Sequence, residues 1–283
     1  MKRIHFFDIF LFALMIFICL IMVYPFWNLF MNSITAPDVN MSVLRLFPER
    51  VSLSSYVKAI ESGDIGRGYL NTIVRTVLGI GLNLILTVTL AYPLSKKHLP
   101  NKAFITGFVV FTMYFNGGVV PNYLLIRSLG LYDTVWALVL PHAVNVFHLI
   151  IVRNFFISIP YSLEESAMID GCNEFQILTR IVLPLSKSIM ATLLLWAAVF
   201  HWNAWFDAMI YIKSSEKQVL QTIMRRVVLG SMSGSANGAF EELVNPENIK
   251  AATIMLTVGP IIVVYPFIQR YFIKGQLAGA IKG

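Results

Sequence analysis

Residues 153–187 read RNFFISIPYSLEESAMIDGCNEFQILTRIVLPLSK, and this stretch decides the fold. Ser162 and Glu165 form an S-x-x-E sequence that predicts a capped helix start, and Gly171 stands where such a helix needs a left-handed residue to end. We therefore expect a short helix over 162–171. A helix of about two turns is unstable alone in water, so it needs a surface on which to pack.

A second short helix is predicted directly after the first. Asn173 is a good N-cap, with Gln176 at the third helical position, and Pro184 helps to end the helix. The residues alone leave two interpretations open for the whole stretch. It is either a re-entrant connector of its own bundle or a rigid knob that docks into another subunit.

Outward from this stretch, the chain contains long windows without Asp, Glu, Lys or Arg. A helix needs about 20 apolar residues to span a bilayer. The windows of suitable length are 9–37, 76–95, 103–126, 134–152, 188–206 and 251–269. They predict six transmembrane helices, the first of them an uncleaved anchor. The charge-free run 227–240 is shorter, and its Gly and Ser residues indicate a loop.

The composition agrees with a membrane protein. Of the 283 residues, 57% are hydrophobic and 13% are charged, about half the roughly 25% of an average soluble domain. The mean hydropathy is +0.70. The net charge of +7 suggests basic loops on an anionic membrane face rather than a nucleic-acid partner. A disulfide scaffold and an ordinary soluble enzyme are excluded.

Short loops predict the orientation. Lys and Arg divide evenly between the two sides overall, but loop 95–102 carries three basic residues and loop 127–133 only one. The positive-inside rule weights such short loops most strongly, so both termini and segment 153–187 are predicted to be cytoplasmic.

Glu165-Ser166-Ala167, Asp170-Gly171 and Ile181-Val182-Leu183-Pro184 resemble the EAA loop of bacterial ABC importer permeases. Ser166 departs from the middle Ala of that pattern, and Ser188 stands where the family often has a second Pro. The tail PFIQRYFIKGQLAGAIKG and segments 71–97 and 201–212 resemble the second, six-span permease of maltose-type carbohydrate importers. The subgroup that serves complex oligosaccharides, including rhamnogalacturonan-type and alginate-type systems, is the most similar.

This resemblance implies an all-α membrane protein with the ABC type I importer permease fold and a cytoplasmic coupling helix over 162–171. The implied ATPase-coupling residues are Glu164, Glu165, Ala167, Asp170, Gly171, Ile181, Leu183 and Pro184. The implied partners are a second homologous permease subunit, two ATP-binding subunits, an extracytoplasmic solute-binding protein, an oligosaccharide and membrane lipid. The implied cellular location is the bacterial plasma membrane. The implied regions are span 1–31, extracytoplasmic segment 32–70, five-span core 71–274 and cytoplasmic tail 275–283.

Polar side chains within the windows are candidates for a sugar path, because aromatic rings stack on sugar faces and amides bond hydroxyls. Interhelical hydrogen bonding is the alternative. The candidates are Asn83, Asn116, Asn145, His148, His201, Trp202, Asn203 and Trp205. His142 and His148 are expected on opposite faces of one helix, which argues against a shared metal. No catalytic or metal-ligating set is predicted.

The outer segment 213–250 is predicted to be a long loop, either a plain surface loop or, by the resemblance, a loop that enters the cleft of the binding protein. Its expected contact residues are Ser231, Ser233, Gly234 and Asn237. No phosphate loop G-x-x-x-x-G-K-[ST] occurs, so no ATP or other cofactor is expected in this chain, and ATP and Mg²⁺ belong to the partner ATPases. The alternative function is a stand-alone secondary transporter.

Overall fold

The computed structural model describes residues 6–36, 47–61, 63–232 and 247–263, most of which are helical. Within these ranges no strand occurs, and a single isolated β-bridge joins Thr35 and Val51. The longer helices are α1 Phe6–Ser33, α2 Ser54–Glu61, α3 Asp64–Ser95, α4 Lys102–Tyr114, α5 Val119–Ser128, α7 Val146–Ser158, α8 Tyr161–Ile169, α11 Lys187–Asn203, α13 Leu220–Met232 and α14 over 247–263. The shorter ones are α6 Trp136–Val139, α9 Glu174–Ile177, α10 Leu183–Leu185 and α12 Phe206–Tyr211, with 3₁₀ turns at Leu140–His142 and Ser215–Lys217 and a π-helical turn at Leu178–Val182.

Two helices, α1 and α3, are long and apolar enough to cross a membrane by themselves. Three further pairs of helices pass the same test of length and composition only when the two helices of a pair are counted as one span. Each of these pairs is bent. The bends are 111° between α4 and α5, 49° between residues 136–142 and α7, and 82° between residues 174–185 and α11. The described residues thus hold two to five candidate spans. The count of six stays a prediction, because the last window runs past residue 263.

The third window, 103–126, is not one straight helix as its composition predicts. The chain leaves the helical conformation after α4 and turns at Gly118, whose φ is +87°. The side-chain oxygen of Asn116 accepts a hydrogen bond from the Gly118 N–H at 2.9 Å and stabilises this turn. At about 1.5 Å per residue, α4 is about 20 Å long, less than the roughly 30 Å of a hydrocarbon core.

Both long segments that are predicted to lie outside contain more helix than the sequence predicts. Segment 32–70 includes α2, and α3 begins at Asp64, well before the charge-free window that predicted it. Segment 213–250, which was predicted to be a loop, includes the whole of α13. In α13, Leu220 and Ile223 are buried at helical spacing while Arg225 is exposed, so an amphipathic pattern outweighs the Gly and Ser near its end.

The described residues form two compact units. One comprises α1, α2, the first three residues of α3 and most of α13 and α14, and residues 67–222 with 262–263 make the other. In the first unit the Asn248 amide donates to the carbonyls of Asn32 at 3.1 Å and Thr35 at 2.7 Å, and it ties α14 to the end of α1. No residue of the apolar window of α1 is buried, which is the surface expected of a helix that faces lipid or a partner chain.

The second unit has two apolar clusters. One joins the end of α3 to α7, α8, α9 and α11, and its buried members are Ala91, Tyr92, Leu94, Leu149, Val152, Phe156, Ala167, Ile177, Leu178, Val182 and Leu193. The other joins α5, α6 and α12, with Ile126, Ala137, Leu138, Ala208, Tyr211, Ile212 and Val219. Through Ala167, the short helix α8 is part of the core rather than an appendage.

A close approach of α3 and α11 depends on Gly79. The imidazole of His201 lies so near the Gly79 backbone that a Cβ atom at residue 79 would overlap the ring. His201 is 1% exposed. Gly81 lies on the same helix, but a Cβ there would meet nothing within 4 Å.

We predict that Gly79→Ala lowers the free energy of unfolding by about 1–3 kcal/mol, because overpacking forces the helices apart. Gly81→Ala is the matched control and leaves stability unchanged or raises it, since alanine favours a helix. Thermal midpoints of the two purified variants in detergent make the comparison. Equal midpoints would contradict the close packing at His201.

Candidate functional site

The N-cap of α8 lies two residues earlier than the sequence predicts. Pro160 occupies the N-cap position, the Leu163 N–H bonds the Pro160 carbonyl at 3.2 Å, and no side chain caps the helix. The predicted capping box of Ser162 and Glu165 is therefore wrong. Proline fixes φ near the helical value and starts the turn at residue 160, which places Ser162 inside the helix.

The predicted end of α8 is confirmed. Gly171 has a φ of +79°, its N–H bonds the Met168 carbonyl at 3.0 Å, and the Cys172 N–H bonds the Ala167 carbonyl at 2.9 Å. These two bonds are those of a Schellman motif, which requires a left-handed residue. The chain thus reverses sharply after Asp170, the last position of the helix cap.

The capping box at the start of α9 is confirmed as well. The side chain of Asn173 accepts from the Gln176 N–H, and the side chain of Gln176 accepts from the Asn173 N–H, both at 2.9 Å. The end predicted at Pro184 is wrong, since helical structure continues to Leu185. The wider π-helical turn at Leu178–Val182 precedes the proline, and such a turn relieves the contact of the ring with the preceding turn.

The later coupling candidates lie on this continuation. Ile181 and Leu183 are half-buried and Pro184 is exposed. The helix ends at Ser186, whose hydroxyl donates to the Val182 carbonyl at 2.6 Å. The chain then turns by 82° into α11, so these residues connect α8 to a candidate span.

The helix α8 has two different faces. Glu164 and Ala167, three residues apart, are 7% and 6% exposed and point into the core. Glu165 and Asp170 are exposed, and Ile169 is 82% exposed. One face therefore anchors the helix, and the other presents carboxylates and an apolar side chain to whatever lies beyond the chain.

An ion pair that sequence reasoning missed holds the anchored face. Lys96 follows the last residue of α3 and pairs with the Glu164 carboxylate. The Lys96 Nζ also lies 4.1 Å from the centre of the Tyr92 ring and 4.0 Å from Glu174. The Tyr92 hydroxyl in turn donates to Glu174 at 2.5 Å. The lysine-rich loop 95–102 could have indicated a cation available for such a pair, but in the sequence it serves only to predict the membrane orientation.

Four of the predicted path residues meet at one cavity. Asn83, Asn145, His148 and His201 all line a space of about 180 Å³. Asn116 lines a larger cavity of about 860 Å³ with part of α5 and α12. Trp202, Asn203 and Trp205 line neither. The Trp202 ring packs edge-on against Tyr69, and the Asn203 amide donates to the Val199 carbonyl of its own helix.

The fourth window is broken where its polar residues lie. The residues between His142 and Val146 are not helical, and the Asn145 side chain caps α7 by accepting from the His148 N–H at 3.1 Å. His142 and His148 are therefore not on one helix, which corrects that prediction, and both line the 180 Å³ cavity. Among the described residues no group of three His, Cys, Asp or Glu side chains could hold a metal.

A buried ion pair also escaped sequence reasoning. Arg75 of α3 is fully buried and binds both carboxylate oxygens of Asp207 in α12, with Nη1 3.1 Å from Oδ1. Its Nη1 also donates to the Ala204 carbonyl at 3.0 Å, and His142 lies 3.7 Å from Asp207. Both charges stand at the edges of charge-free windows, where they were treated only as boundaries.

Outside the candidate spans, Asp133 ties two loops together. Its φ is +59°, and its carboxylate accepts from the Lys213 and Ser214 N–H groups, the Ser214 hydroxyl and the Lys217 Nζ at 2.6–3.1 Å. Burial raises the pKa of Asp133, but these hydrogen bonds outweigh it and hold the pKa well below its ordinary value. The beginning of segment 213–250 is thus firmly attached.

The predicted binding-protein contact residues of segment 213–250 lie at or beyond the edge of the described residues. Ser231 belongs to α13, but its side chain is not described. Ser233, Gly234, Asn237 and the predicted tail 275–283 are outside the described residues. Their roles stay predictions.

Over the described residues, the fold and site define a class: a helical protein with candidate membrane spans, several of them bent, and a short helix, α8, that is anchored to the core and ends in a sharp turn. Residues 5–276 match the family model of the binding-protein-dependent transport system inner membrane component, and the chain belongs to that family. The family assignment favours an importer subunit over a stand-alone secondary transporter.

Similar proteins of this family are known. The polygalacturonan/rhamnogalacturonan transport system permease protein YtcP of Bacillus subtilis is 40% identical, with 98% of each chain covered. Protein LplC of the same organism is 44% identical over 84% of this chain and 81% of its own length. A chain in the crystal structure of a bacterial ABC transporter that imports the acidic polysaccharide alginate is 31% identical, with a TM-score of 0.88 over 96% of this chain and 98% of that one. The type I permease fold is thereby supported.

We predict that Glu164→Gln lowers the free energy of unfolding by about 1–3 kcal/mol, because it removes the nearer and more buried of the two carboxylates that pair with Lys96. Glu165→Gln, one residue on but exposed, changes stability by less than about 0.5 kcal/mol. The thermal midpoint of each variant in detergent is the measurement. A Glu165 variant as unstable as the Glu164 variant would contradict the two-faced arrangement of α8.

We predict that Asp133→Asn lowers stability by about 1 kcal/mol at pH 7, because the ionised acceptor is lost. The folded-state pKa of Asp133 is depressed, so its contribution is complete above the unfolded pKa of about 3.9 and is lost as the pH falls through and below that value. The difference between wild type and variant should shrink from about pH 5 downwards. Thermal midpoints across this range test it, and a difference that stays constant would contradict it.

Proposed function

We propose that this chain is a membrane-spanning subunit of an ATP-driven importer that takes up oligosaccharides delivered by an extracytoplasmic binding protein. Its family consists of inner membrane components of binding-protein-dependent transport systems. One similar protein is named for the transport of polygalacturonan or rhamnogalacturonan, and another belongs to an importer of alginate. The chain itself is not an enzyme in this proposal. ATP and Mg²⁺ are bound by two partner ATPases, and a second homologous permease completes the membrane part.

The single observation that carries the mechanism is the pair of faces on α8. Glu164 and Ala167 fix the helix to the core, and Glu165, Ile169 and Asp170 are exposed. An exposed apolar side chain between carboxylates suits a protein surface better than bulk water. Closure of the ATPases on ATP would move α8 as a rigid body, and this movement would rock the spans to open the path outward; hydrolysis resets it.

The sharp exit at Gly171 serves the same movement. A Schellman turn fixes the direction in which the chain leaves α8, and the continuous helical stretch from Glu174 to Leu185 connects it to α11. A displacement of α8 is then transmitted to a span through this helical connection, so little of the movement is absorbed by a flexible loop. Ile181, Leu183 and Pro184 act in this connection rather than in docking.

The proposed orientation places both termini and α8 on the cytoplasmic side of a bacterial plasma membrane, with segment 213–250 outside. The basic loop that contains Lys96 lies at the same end of α3 as α8, in keeping with the positive-inside rule. The loops joined by Asp133 lie at the other end, where a binding protein would dock. The tail from residue 276 is assigned to the ATPase side.

We predict that Glu165→Gln and Asp170→Asn uncouple the complex without unfolding it. Loss of one hydrogen bond to a charged group corresponds to about a tenfold effect, so ATP-dependent uptake into proteoliposomes should fall about tenfold in each variant. Ser166→Ala is the matched control, because Ser166 is exposed on the same helix and its hydroxyl bonds only the Ser162 carbonyl among the described residues.

Co-purification of the ATPases and the thermal midpoint are measured for each variant. Uptake that is unchanged in both carboxylate variants, or equally reduced in Ser166→Ala, would overturn the assignment of α8 as the docking element. Uptake that persists after removal of the ATPases would overturn the importer itself.

A further inference from the structure

Two cations from the borders of charge-free windows meet at the end of α3. Lys102 directly precedes the third window, and Arg153 directly follows the fourth. The Arg153 Nε donates to the Leu94 carbonyl at 3.0 Å, and the Lys102 Nζ donates to the Lys96 carbonyl at 2.8 Å. The second window also ends here. Three candidate spans therefore bring two positive charges together at the border of the hydrocarbon region.

These two cations have no negative partner. Among the described residues, no carboxylate pairs with Lys102 or Arg153, since Glu164 and Glu174 both pair with Lys96 instead. The Arg153 guanidinium is close enough to the Lys102 ammonium to repel it. Like charges side by side raise the free energy unless an anion lies beside them. The pair therefore favours a bound anion.

Capping of α3 does not account for the pair. The end of α3 carries about half a negative elementary charge and the start of α4 about half a positive one, so the two helix ends largely cancel. Lys102 and Arg153 then contribute about two positive charges that no helix end neutralises. Lys97, which is exposed in the same loop, adds a further positive charge.

Both side chains keep hydrogen-bond donors for a ligand. A guanidinium has five N–H donors, and Arg153 uses one on a backbone carbonyl and one on the Asn154 side chain at 3.3 Å. An ammonium has three, and Lys102 uses two on the carbonyls of Ser95 and Lys96. Both cations are only partly buried, so a ligand can reach the remaining donors. Charged donors of this kind bind phosphate oxygens strongly.

An apolar surface begins directly beside the cations. No residue of α4 is buried, and the helix carries no charge after Lys102. Along it, Ile105 is 37%, Phe108 61% and Phe104 76% exposed. A phospholipid offers an anionic headgroup and acyl chains in one molecule, so it can cover both parts of this surface. A free phosphate or an acidic protein surface would leave the apolar part uncovered.

We propose that Lys102 and Arg153 bind the headgroup phosphate of an anionic phospholipid whose acyl chains lie along α4. Basic sites between membrane helices bind such headgroups in other proteins. The site goes beyond the proposed function, because it concerns a resident lipid and no transported solute. It fixes the level at which α3, α4 and α7 sit in the membrane, next to the Lys96 anchor of α8.

The test is lipid binding to the purified membrane complex, which is delipidated in detergent and titrated in native mass spectrometry. The probes are phosphatidylglycerol and phosphatidylcholine with the same acyl chains, because choline cancels the charge of the phosphate. We expect wild type to bind phosphatidylglycerol at least about tenfold more tightly. Lys102→Gln and Arg153→Gln should each reduce this preference about fivefold, the factor expected for one basic residue near a membrane surface.

Two further variants separate binding from structure. Arg153→Lys keeps the charge but loses the guanidinium bond to Leu94, and it should hold the preference within about threefold of wild type. Lys187→Gln is the matched control. Lys187 is exposed and directly precedes the fifth window, so the variant removes an equal charge at another window border. It should change the preference by less than about twofold.

Several results would overturn the site. Equal wild-type affinity for the two lipids is one, and it is the result expected if the second permease or an ATPase covers the cations. A preference that survives both Gln variants, or that falls equally in Lys187→Gln, is another. Displacement of phosphatidylglycerol by excess inorganic phosphate would indicate a small-anion site instead. The lipid comparison on wild type requires no variant to fold, and thermal midpoints identify any variant that does not.

Discussion

The constraint on which the structure depends is that hydrocarbon offers no partner for a backbone N–H or C=O group. Charge-free windows therefore become helices, and wherever a window is broken a side chain must serve the break. Asn116 does so between α4 and α5, and Asn145 and Asn83 do so in the fourth window. These amides were predicted as sugar-path residues, but their first role is to make non-helical backbone possible within the membrane. Cavities follow at the same places.

Local sequence was sufficient for prediction where residues close together in the chain determine the backbone conformation. The left-handed turn at Gly171 and the reciprocal caps of Asn173 and Gln176 depend on neighbours within a few positions, so the sequence contains the whole interaction. The start of α8 was missed because two signals compete there. Proline at residue 160 begins the turn before the capping sequence of Ser162 can act.

The two ion pairs could not be predicted from local sequence, because the partners of each pair are far apart in the chain. Lys96 and Glu164 are 68 positions apart, and Arg75 and Asp207 are 132 apart. Such pairs become visible only when helices are packed. A charge-free window excludes charged residues by definition. Charged residues such as Arg75 and Asp207, which join one helix to another, therefore appear only at the limits of the windows. A charge at the edge of a window is better treated as a candidate for pairing across the bundle.

Two adjacent carboxylates on α8 therefore have separate tasks. Successive residues of an α-helix differ by about 100° in direction, so Glu164 and Glu165 cannot share a face. The inward one binds Lys96 at the end of α3, and α3 continues without a break to Asn83, about 20 Å away along the helix. A single rigid element thus joins the anchored face of α8 to the wall of the small cavity. The docking role proposed for the exposed face would depend on this inward anchor, because a helix held only by its two ends would tilt instead of carrying a displacement into the spans.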